Sequence, residues 1–113
     1  MSTSARKAVS HKIRAWHLNR RSGSDLSGLA RDINAQVRGW INYYGAFYRS
    51  ELYSLAMRIN EHLVRWAMQK FKRLRNQPTR AWAMLDAVRQ HRPRLFAHWY
   101  LLPRTDNRLV GAG

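Results

Sequence analysis

The chain has 113 residues, 21 Lys and Arg against six Asp and Glu, a formal charge of +15 and no cysteine. That excludes a disulfide framework, a thiolate nucleophile and a Cys-based zinc site, and no apolar run approaches the ~20 residues that cross a bilayer. With 45% hydrophobic residues and five Trp, the chain is not a disordered basic tail; it reads as one domain with a modest core. The basic residues are 17 Arg and only 4 Lys. A planar guanidinium forks onto phosphate, whereas an ammonium acts as a point charge, so the composition calls for a polyanionic partner.

In chain order, the spacing predicts a first helix over 4–20, with Val9, Ile13 and Trp16 on one face. The first 22 residues are acid-free and rich in Arg, Lys and Ser, a composition shared with organellar transit peptides. The apolar seam assigns them to the fold instead, and the compartment expected is the bacterial cytoplasm, in association with RNA or nucleoid. Residues 20–24 form a break, with Ser24 as N-cap and Asp25 at the positive end of the next helix dipole. A second helix carries Leu26, Ile33, Val37, Trp40, Tyr44 and Phe47 on a sustained seam. Gly39 and Gly45 lie inside it and read as points of close packing or close backbone approach.

A second break falls at 48–50, with Ser50 capping a third helix and Glu51 in its first turn. This helix, the longest, carries Leu52, Leu55, Ile59, Leu63, Trp66 and Leu74, and a second apolar side of Tyr53, Val64 and Phe71. Residues 76–78 end it, and Pro78 takes the first position of a fourth, shorter helix whose apolar face is Trp82, Leu85 and Val88. Pro93 ends that helix and leaves residues 95–99 as a short apolar clasp, with His98 packed or partly exposed beside Trp99. No strand alternation or repeat is present. The expected fold is all-α: a small bundle of three main helices plus a short fourth, over residues 1–102, with 103–113 as a flexible C-terminal tail.

The charge is organised in rows, because positions seven apart differ by only ~20° around a helix. Lys7, Arg14 and Arg21 form one such row, Arg31, Arg38, Asn42 and Arg49 a second, and Arg58, Arg65 and Lys72 a third. Each is phased away from its core seam. A solubilising surface would interleave Glu or Asp at i,i+4; these rows are almost purely positive, which fits phosphate contact. The charge alone does not separate RNA from DNA. The aromatic residues Trp16, Trp40, Tyr44, Phe47 and Trp66 lie on core seams with Ile33, Val37 and Leu63, while Tyr43 sits off the seam beside the basic stripe, placed to stack on a base or to pack half-exposed.

Catalytic chemistry is not legible. The acids Asp25, Asp32, Glu51, Glu61, Asp86 and Asp106 form no carboxylate cluster, and Asp25 and Asp32 are about two helical turns apart. There is no Tyr-x-Asp-Asp motif, no Gly-rich phosphate loop, and no ligand spacing among the five histidines. No catalytic residue, metal site or cofactor is expected.

The stretch Arg38-Gly39-Trp40-Ile41-Asn42-Tyr43-Tyr44, followed by Phe47, resembles the core of the maturase-specific domain of group II intron reverse transcriptases. The segments Lys12-Ile13-Arg14-Ala15-Trp16, Leu63-Val64-Arg65-Trp66-Ala67 and Pro93-Arg94-Leu95-Phe96-Ala97-His98-Trp99 are similar to other parts of that domain, so the likeness runs from about 6 to 99. The resemblance implies a thumb-like helical domain that grips intron RNA, or an RNA–DNA template-primer duplex, in support of splicing and retrohoming. By position, Arg38 and Asn42 match the motif's polar members and Trp40, Tyr44 and Phe47 its core members. The 113 residues hold neither fingers, palm nor a His-Asn-His endonuclease; the implied role is therefore non-catalytic, with polymerase domains expected upstream in a full-length parent. The competing readings are a small basic helix-turn-helix DNA-binding protein and a module docking on an acidic protein or membrane surface.

Overall fold

The computed structural model describes residues 3–45 and 49–102, and its regular structure there is four α-helices with short 3-10 turns and no strand. Helix α1, Thr3–Ala15, buries Val9 and Ile13. It stops short of the expected residue 20. Five residues past Ile13, Leu18 would point ~140° away from the seam of a continuous helix. Instead His17 adopts a left-handed conformation (φ 52°) and Leu18–Arg20 forms a 3-10 turn that buries Leu18 completely. Trp16 is half-buried; its indole N–H donates to Gln36 Oε1 at 2.9 Å and its ring stacks on Trp40 at 5.6 Å.

Helix α2, Leu26–Gly45, is capped by Asp25 rather than Ser24. The Asp25 Oδ1 accepts the Gly28 N–H at 2.7 Å, and its carbonyl accepts the Leu29 N–H at 3.0 Å. Ser24 Oγ instead accepts from the Arg21 guanidinium. The deepest residues of α2 are Leu29, Ala30, Ile33, Asn34 and Val37, while Leu26, Trp40 and Tyr44 are half-buried at its two ends. Gly39 contradicts the expectation of close packing, since a Cβ there would meet nothing within 4 Å; Gly45 has only ordinary contact with Leu52. Phe47, and the side chain of Arg49, lie outside the described residues.

Helix α3, Arg49–Lys70, is the central element, packed against α2, α4 and all three 3-10 turns. Its helical path already includes Ser50, which therefore sits in the first turn and is not the N-cap. The second apolar side is built from Ala56, Val64 and Ala67, all buried, rather than from Tyr53, which is 47% exposed. The helix ends at Lys70, earlier than expected, and Leu74 reaches the core from the 3-10 turn Lys72–Leu74. Asn76 then takes a left-handed conformation (φ 58°) that redirects the chain, and Pro78 opens helix α4, Pro78–His91, at its first position. The end of α3 also secures the α1–α2 connection: Trp66 Nε1–H donates to the Arg21 carbonyl at 2.9 Å, and Lys70 Nζ donates to the carbonyls of Ser22 and Ser24 at 2.9 and 3.0 Å.

The clasp after α4 is held by two buried asparagines. Asn34 of α2 donates through Nδ2 to the Leu95 carbonyl and accepts the Ala97 N–H on Oδ1, both at 2.9 Å. Asn60 of α3 accepts from His98 Nε2 at 2.8 Å and from Trp99 Nε1 at 2.9 Å. Phe96, His98 and Trp99 are thereby all buried, so His98 is a core residue. The expected tail, 103–113, lies outside the described residues. No helix among those described is long and apolar enough to cross a membrane.

Candidate nucleic-acid interface

Basic side chains line several concave sites among the described residues, and two of these sites, which share no lining residue, each gather more than one exposed arginine that has no ion-pair partner there. The larger is a cleft of about 650 Å³ where α1, α3 and the turn before α4 meet, lined by Arg14, Arg65, Arg75, His62, Gln69 and Asn76 among others. None of its arginines has an ion-pair partner among the described residues, and no carboxylate lines it. The His62 imidazole is held below its ordinary pKa, first by burial and then by the Arg65 charge, with Arg58 and Arg14 adding to it against the opposing pull of Glu61. The ring is therefore neutral near pH 7, and of the three arginine charges that act on it, Arg14 and Arg65 line the cleft itself.

The second site, about 350 Å³, lies between α2 and the clasp. Arg38 and Asn42 come from the helix, Arg94 and Tyr100 from the residues flanking the clasp on either side, and Ile41 and Ala97 supply apolar lining. Arg38, Asn42 and Arg94 are exposed, and Tyr100 is 69% exposed.

The rows read from the sequence distribute as follows. Lys7 and Arg14 are exposed on α1, Arg31, Arg38 and Asn42 on α2, and Arg58 and Arg65 on α3. Lys72 is exposed but belongs to a 3-10 turn, off the helix that would have aligned it with Arg65. Arg21 leaves the first row altogether, because α1 has ended and its guanidinium is paired with Asp32. Arg6 is likewise paired with Glu51. Tyr43 is 75% exposed, edge-on to Tyr44. Ile33, Val37, Leu63 and Trp66 are buried, and Trp16, Trp40 and Tyr44 are half-buried. Arg75, His62, Asn76, Arg94 and Tyr100 were not singled out as site residues, because all but His62 sit in turns where helical periodicity carries no information. Among the described residues, no group of three or more His, Asp or Glu could hold a metal ion.

A family model for the group II intron maturase-specific domain matches residues 6–85, which hold most of α1, all of α2 and α3, and the first half of α4. The chain belongs to that family. Searches of curated proteins and of solved structures returned no match. Membership gives the domain a maturase-related role on group II introns, in a family whose general partner is intron RNA and whose domain is distinct from the polymerase. The matched region contains Arg14, Arg65 and Arg75 of the larger cleft and Arg38 and Asn42 of the smaller site, but not Arg94 or Tyr100. The clasp of this maturase domain thus lies beyond the matched residues.

Proposed function

We propose that this maturase domain is a non-catalytic RNA-binding module that holds the phosphates of folded group II intron RNA in the cleft between α1, α3 and the turn before α4. The observation that carries the reading is the convergence of Arg14, Arg65 and Arg75 on one concavity without a carboxylate in its lining. Three guanidiniums from three separate elements span a surface rather than a point, which suits a run of backbone phosphates. The exposed Lys7, Arg31, Arg38 and Arg58 extend the field around it and steer the polyanion towards the site. An RNA–DNA template-primer duplex offers the same phosphates and is the second ligand of this surface, and the setting that goes with the role is the bacterial cytoplasm.

The test is binding of intron RNA across a salt series. Log affinity falls with log salt at ~0.9 per contacted phosphate on duplex, and Arg14→Glu with Arg65→Glu reduces both the affinity and the slope while the helical circular-dichroism signal stays intact. Unchanged binding by the double variant overturns the surface. A competing DNA duplex that displaces the RNA at equal concentration would instead favour a DNA-binding protein.

A further inference from the structure

The smaller site has a chemistry that phosphate gripping does not require. Arg38 and Arg94 stand at it with no ion-pair partner among the described residues. Asn42 offers an amide, and Tyr100 is a largely exposed aromatic residue that lines the site with apolar Ile41 and Ala97. The site is also rigid where it matters. Asn34 bonds the backbone on both sides of Phe96, and the residue before Tyr100 is fixed by the indole bond to Asn60. An exposed aromatic on a fixed backbone is a preorganised stacking platform.

We infer that this site receives one unpaired nucleotide of the bound RNA, with the base stacked on Tyr100, its edge read by the Asn42 amide, and the flanking phosphates met by Arg38 and Arg94. About 350 Å³ is room enough for a single nucleotide. A-form duplex hides its bases in a narrow major groove, whereas bulged and looped bases are free to leave the stack. The inference rests on the RNA-binding reading above, and half of its residues lie beyond the stretch that matches the family.

The experiment compares the full chain on an RNA duplex and on the same duplex carrying one bulged adenosine. Wild type prefers the bulged RNA by roughly tenfold, the size of one base–aromatic stack. Tyr100→Ala removes the preference, Tyr100→Phe keeps it, and Arg14→Glu with Arg65→Glu weakens both RNAs while keeping the ratio. Equal affinity of wild type for the two RNAs, or a preference that survives Tyr100→Ala, overturns the nucleotide site and leaves the phosphate cleft standing. If neither RNA binds, the phosphate reading falls, and an NMR titration with adenosine 5′-monophosphate decides this one. Shifts clustered at Ile41, Asn42, Ala97 and Tyr100, absent with inorganic phosphate, uphold the site, and their absence overturns it.

Discussion

Asn60 on α3 holds Trp99 of the clasp, its Oδ1 accepting the indole N–H at 2.9 Å in a fully buried setting. The same oxygen takes His98 Nε2 at 2.8 Å, so Asn60→Ala orphans two buried donors at once. Each orphan costs about 1–3 kcal/mol, and a loss of about 3 kcal/mol is expected by urea unfolding, a large part of a small domain's stability. A loss below about 1 kcal/mol would show that the clasp is not held by this bond.

The same geometry makes His98 a pH-sensitive element of stability. An amide oxygen can only accept, so the ring must carry its proton on Nε2, and Nδ1 is buried with no partner among the described residues. Burial, with a smaller contribution from the Arg89 charge, lowers the pKa from 6.5 to about 3. Because the folded pKa lies below the unfolded one, the stabilisation is complete above pH 6.5 and is lost as pH falls from there towards 3. Each unit costs at most about 1.4 kcal/mol. Between pH 7 and 5 the wild type is expected to lose up to about 2 kcal/mol more than His98→Leu; parallel pH profiles of the two proteins would exclude the effect.

Gly39, exposed within the Arg-Gly-Trp motif, has no neighbour that a Cβ would touch. Helical Gly is worse than Ala by about 1 kcal/mol, so Gly39→Ala should stabilise the free domain by about that amount in thermal or urea unfolding. A gain in stability accompanied by loss of RNA affinity would assign the glycine to the approach of a partner rather than to the fold.

His62 reports on the larger cleft. Its pKa is depressed by burial first and by Arg65 next; Arg65→Gln should therefore raise it, and Arg14→Gln should raise it less. Phosphates entering the cleft offset the arginine charges, so RNA should also raise it, and by linkage RNA affinity should increase as pH falls through the range in which His62 takes up its proton. Side-chain NMR titration of His62 with and without RNA measures both. A pKa unmoved by saturating RNA would place the phosphates elsewhere.

Arg21 and Arg14 illustrate how far one-dimensional reading reaches into the site. Both belong to one seven-residue row, yet only Arg14 remains on a helix with a free guanidinium, because α1 ends at Ala15 and Asp32 captures Arg21. Arg75 and Arg94 fall outside every row and still line the two concavities. Helix periodicity orders side chains along an element; it says nothing of residues in turns.

What the sequence determined by itself was local or compositional. The seams Val9–Ile13, Ile33–Val37 and Ile59–Leu63–Trp66, the first-position Pro78, the all-α class and the family motif all follow from spacing within one helix or from residue identity. Tertiary structure decided where helices stop and which rows face one another. Leu18 and Leu74 reach the core only if α1 and α3 end early, since burying a large apolar side chain is worth about 1.5–3 kcal/mol, more than an extra turn of helix supplies. That Arg14 and Arg65 line one concavity, and Arg38 and Arg94 another, depends on how separate elements come together, and packing is a property of contacts between elements rather than of any one of them.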